Sequence, residues 1–107
     1  MNHKQYKIYK IDEIVYEFIR NHRGERNKVT GAQVLAEVKS HGYDLNNVRQ
    51  VIDRVMRERH APICSAGRGG YWWAASRADI EIAIADAEAR EKAFRERAKF
   101  FRSFLFD

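Results

Sequence analysis

Apolar residues return along most of this chain at helical intervals. Ile11, Ile14, Val15, Phe18 and Ile19 fall on one stripe, with Asp12, Glu13 and Glu17 off it, which predicts a first helix from Ile11. Asn21, His22 and Gly24 end it, and NHRGERNK follows as a polar loop in which Lys28-Val29 supplies at most a very short strand. Ala32, Val34, Leu35 and Val38 mark a second helix over about 31–40, with Thr30 as its N-cap and His41-Gly42 as its stop. In a third, Leu45, Val48, Val51, Ile52, Val55 and Met56 form the buried face, Asp44 supplies the start signal, and the pattern fades at Glu58-Arg59-His60. Ahead of all three, Tyr6, Ile8 and Tyr9 alternate among lysines, the pattern of an arm or a short edge strand.

The period changes after His60. Pro62 disfavours helix in the residue before it, so APICS reads as extended. AGRGG is a glycine-rich tip and YWWA is β-prone, so the two runs make a hairpin. Alternation sends Tyr71 and Trp73 to one face and Trp72 to the other, and core packing is the better reading for such rings. Ser76 with Asp79 three residues on resembles a capping box and opens a helix over roughly 77–105 that contains no Gly or Pro. The resulting order predicts a mainly α fold with a small β-hairpin, a winged helix-turn-helix plus a long C-terminal helix. Its parts are an N-terminal arm (1–10), a winged-helix domain (11–75) and a C-terminal dimerisation helix (76–107).

Composition narrows the picture. The 107 residues suit one domain, and no apolar run approaches a membrane span. MNHKQYKIYK lacks the apolar stretch of a signal peptide, which points to the cytoplasm. The lone Cys64 excludes an internal disulfide framework and a Cys-rich zinc site. Residues 1–75 hold 13 Lys/Arg against 8 Asp/Glu, whereas residues 76–107 hold 7 of each. The whole +5 surplus therefore lies ahead of the last helix, as on a surface that faces a polyanion.

The stretch TGAQVLAEVKSHGYDLNNVRQVIDRVMRERHAPICSAGRGGYWWA, followed by SRADIEIAIADAEAREKAF, resembles phage- and prophage-encoded winged helix-turn-helix proteins with a C-terminal helix after the wing. The resemblance covers about residues 11–95 and implies a regulatory or replication-associated protein that binds double-stranded DNA. The residues themselves suit that chemistry. Asn46, Asn47, Arg49 and Gln50 stand near the start of helix three, where Asn and Gln can pair with adenine and Arg with guanine. Arg54 and Arg57, farther along, suit backbone phosphates, and Lys28, Thr30 and Gln33 stand where the start of helix two can hold another. Arg68, between Gly67 and Gly69, suits a narrow minor groove. It is the wing's one basic residue, which keeps a second class open: a non-enzymatic module that binds a host or phage protein. The four histidines are far apart and the acidic residues form no paired-carboxylate pattern, so neither catalysis, a metal nor a cofactor is expected.

In the last helix, steps of four and three from Ile80 run through Ile84, Ala87, Glu91, Phe94, Ala98, Phe101 and Leu105, the seam spacing of a coiled coil. Phe104 adds to an aromatic end that a small closed core has little room to bury. The expectation is a homodimer paired through this helix, reading an inverted repeat. The competing arrangement folds it back across helix one to complete a monomeric core.

Overall fold

The computed structural model describes residues 1–65 and 69–106. Among them are four α-helices and one two-stranded antiparallel hairpin: α1 (His3–Arg20), α2 (Gly31–Ser40), α3 (Val48–Glu58), β1 (Ile63–Ser65), β2 (Tyr71–Trp73) and α4 (Arg77–Arg102). A 3-10 turn at Ser103–Phe106 follows α4. The arm expected at residues 1–10 is instead the first part of α1. Asn2 and Gln5 cap it reciprocally: the Asn2 side chain accepts from the Gln5 amide at 2.8 Å and the Gln5 side chain from the Asn2 amide at 2.9 Å.

Local chemistry sets the other boundaries. α2 ends in a Schellman turn: Gly42, at φ 88°, donates to the Lys39 carbonyl, and Tyr43 donates to that of Val38. α3 begins three residues later than Asp44 predicts, because Asn47 is its N-cap and accepts from the Gln50 amide at 3.0 Å. In α4 the reach-back half of the cap is present in shifted form, with the Asp79 carboxylate accepting from the Ala75 amide at 2.7 Å.

α1, α2 and α3 bury a single core in which Val15, Ile19, Val34, Val38 and Val55 are wholly inside. The hairpin seals one side of it. β1 and β2 pair Ile63 with Trp73, Cys64 with Trp72 and Ser65 with Tyr71. On the other side of β2, Val29 exchanges both backbone hydrogen bonds with Tyr71, at 2.8 and 2.7 Å, an isolated bridge in place of the short strand that Lys28-Val29 suggested. Gly70 (φ 91°) permits this approach, since a methyl group there would lie 2.3 Å from the Val29 carbonyl oxygen. Tyr71 and Trp73 pack on the helical core, Trp73 edge-on to Tyr16, while Trp72 is fully buried on the opposite face with Cys64. There the Cys64 Sγ lies 3.6 Å from the Asp79 carbonyl oxygen, so this face of the hairpin meets the start of α4.

Beyond its first turns α4 leaves the body. The radius of gyration is 16.7 Å, against about 13 Å for a compact chain of this length. The helix does not cross α1 to close the core. Phe94, Phe100, Phe101, Phe104 and Leu105 are all exposed. No helix among the described residues is long and apolar enough to cross a membrane.

Candidate nucleic-acid interface

The first turns of α2 and α3 abut at Gly31 and Val48: a methyl group at Gly31 would stand 3.7 Å from the Val48 side chain, ordinary van der Waals contact. This contact brings together four of the residues singled out from the sequence. Thr30, Asn47, Arg49 and Gln50 share one rim of an open groove of about 1280 Å3. Arg49 and Gln50 are exposed, and Arg49 makes no ion pair among the described residues. Asn46, just ahead of the cap, is also exposed.

Thr30 and Gln33 form a reciprocal capping box at the start of α2. The Thr30 hydroxyl accepts from the Gln33 amide at 3.1 Å, and the Gln33 side-chain oxygen accepts from the Thr30 amide at 2.8 Å. Their acceptor atoms are thereby used, and the Gln33 side-chain nitrogen Nε2 and the Thr30 hydroxyl proton are the donors left for an anion. Exposed Lys28 stands two residues ahead of this cap.

Arg54 has a different task from the phosphate contact its position suggested. It turns away to α1 and clamps Asp12 through two hydrogen bonds, Nε to Oδ2 at 3.0 Å and Nη2 to Oδ1 at 2.6 Å. Those bonds raise the pKa of Arg54 further, against the opposing effect of its burial. Arg57 is exposed and pairs along its own helix with Asp53 at 3.3 Å, a weak contact that a phosphate can displace. Arg59, not singled out from the sequence, hydrogen-bonds Glu13 at 2.7 Å and lies over the ring of Tyr16. Two of the basic residues of α3 and its C-cap thus hold helices together, and Arg49 is the one that faces outward from the helix start. Arg68 lies outside the described residues.

The groove has a second wall that no local pattern predicts. Its floor is Met56, Ile63 and Tyr71, and its far side is α4, through Ile80, Ile84, Ala87 and Phe94. Half of the expected dimer seam therefore looks across at the start of α3. The signal for this lay in long-range packing of the hairpin on α4, which no local pattern reports. Among the described residues no three His, Cys, Asp or Glu side chains gather in a cluster able to hold a metal. No protein-family model matches the chain, and comparison with curated proteins and with solved structures finds no match either.

Proposed function

We propose that the body formed by α1, α2, α3 and the hairpin is a winged-helix domain that binds double-stranded DNA, with α3 as the reading helix, in a regulatory or replication-associated role of the kind the sequence resembles. The observation that carries the reading is the outward-facing Arg49-Gln50 pair at the start of α3, set against the capped start of α2 on one rim. An Arg and a Gln side by side at a helix N-terminus are suited to guanine and adenine edges in a major groove. The order of three helices and a hairpin supports the domain assignment, with Val29 bridging the free edge of β2. Lys28 and the cap donors of α2 supply neighbouring phosphate contacts.

Fluorescence anisotropy against a library of duplexes at fixed salt tests this. Arg49→Ala is expected to weaken the best duplex by about 1–3 kcal/mol and to relax its preference at one position. Lys28→Ala is expected to weaken all duplexes alike and to lower the salt slope by about one. Binding no tighter than about micromolar at low salt, together with an unchanged Arg49→Ala variant, refutes the reading. The apolar α4 wall of the groove favours a second reading, a protein-binding module. A stoichiometric protein partner captured after nuclease treatment, with no duplex bound, would support it.

A further inference from the structure

The charges of α4 fall into two blocks. Residues 77–89 carry one basic and four acidic side chains, a net of −3, and residues 90–102 carry six basic and two acidic, a net of +4. The apolar seam between them lacks cover from its own chain, with Ile84 50%, Phe94 65% and Phe101 59% exposed. We propose that α4 pairs with α4 of a second copy in the antiparallel sense about a two-fold axis, the aromatic end of each copy closing over the Ile80 and Ile84 wall of the other's groove. This inference is independent of duplex binding.

Charge selects the antiparallel sense, and size permits it. In that sense Ile80 meets the partner's Leu105, Ile84 the partner's Phe101, and Ala87 the partner's Ala98, while Glu91 faces the partner's Phe94; parallel helices would match sizes equally but set Glu91 against the partner's Glu91. One flank of the seam is formed by Glu81, Glu88, Arg95 and Arg102. Antiparallel helices bring like flanks together, which sets Glu81 against the partner's Arg102 and Glu88 against the partner's Arg95, each twice by symmetry. The other flank brings Arg90 towards the partner's Arg97, one like-charge contact that Asp86 on the same helix as Arg90 offsets in part, in either sense of pairing. Parallel helices instead join unlike flanks. They would press Arg90 on the partner's Arg95 and Arg97 on the partner's Arg102, with no opposite-charge contact in return.

The charges are free to make this exchange. In the single chain Glu81 pairs with Arg77 and Arg95 with Glu91, both as exposed contacts one turn apart. Such pairs contribute little and trade readily. Glu88 and Arg102 make no ion pair among the described residues.

Sedimentation equilibrium of the full chain gives the test, with circular dichroism of each variant to show that it remains folded. The wild type is expected at twice the 12.6 kDa chain mass. Arg95→Glu and Glu88→Arg are each expected to weaken the dimer about tenfold or more, and the double variant to recover it. A parallel dimer would respond in the opposite way, because Arg95→Glu then removes a repulsion and tightens it. A second measurement reads the sense of pairing directly: in an antiparallel pair Leu105→Cys, at the end of the seam, places the two thiols about 38 Å apart, so oxidation leaves them unlinked, whereas parallel helices would set them side by side. A wild-type monomer at about 100 µM, tightening by Arg95→Glu, no recovery in the double variant, or rapid Leu105→Cys cross-linking would each overturn the proposal.

Discussion

Replacing Asp12 by Ala tests whether the clamp between α1 and α3 holds the body together. Asp12 is 5% exposed, and its carboxylate receives both hydrogen bonds from an Arg54 side chain that is 31% exposed. Removing one partner of a fully buried pair costs about 3–5 kcal/mol, because the other charge is left without compensation. An exposed pair costs under about 1 kcal/mol. Arg54 lies between these limits and reaches water along one edge, so the expected loss is about 2–3 kcal/mol. For a chain of this size that is a fall in Tm of roughly 10–15 °C. Chemical denaturation of Asp12→Ala, Arg54→Ala and the double variant measures it directly, and the double variant is expected to lose well under the sum of the two single losses. A coupling energy below about 0.5 kcal/mol would overturn this account, since it would mean that the clamp adds nothing to the apolar packing and the Arg59–Glu13 contact. The same cycle bears on the interface: Arg54→Ala is expected to act through stability, with no change in the salt slope of duplex binding.

Gly70→Ala is expected to destabilise by about 3 kcal/mol or more, because it combines a positive φ with a collision against the Val29 carbonyl. Gly42→Ala is the control: its φ is similar but nothing lies within 4 Å, so about 1 kcal/mol is expected by urea titration. The Cys64 thiol is pushed up from 9.0 to about 11 by burial and, secondarily, by Asp79. Below the unfolded value both states keep the proton and stability is undiminished; as pH rises towards 11 the unfolded state alone loses it. Wild type is therefore expected to lose about 2–3 kcal/mol relative to Cys64→Ala between pH 9 and 11, and a parallel pH dependence of the two would exclude this account.

The parts of the fold that were legible in the sequence have local causes. Thr30 and Gly42 bracket α2 because capping and left-handed termination act within a few residues. The start of α1 was also written locally, in Asn2 and Gln5, but the alternation of Tyr6, Ile8 and Tyr9 among lysines masked it with a strand-like period. At α3 two residues competed for the cap, and Gln50 three positions after Asn47 marks the one used. Arg54 shows where such reasoning stops. Its polar position on a helix predicts solvent or phosphate, whereas its partner Asp12 stands 42 residues earlier, on another helix. The convergence of the α4 seam on the rim of α3 is of the same kind, a product of how the hairpin packs and not of any spacing.

The length of α4 has a meaning beyond packing. From Ile80 to Leu105 the chain advances 25 residues, about 38 Å at helical rise. In an antiparallel pair that distance separates the two bodies, one at each end of the rod. Duplex DNA advances about 3.4 Å per base pair, so the same span is about 11 base pairs, close to one turn. If the proposed pair binds the proposed duplex, a helix with little cover from its own chain would act as a ruler, graduated in residues on the protein and in base pairs on the DNA. A seven-residue insertion would preserve the seam and lengthen the ruler by about three base pairs, turning the second half-site part of the way around the duplex.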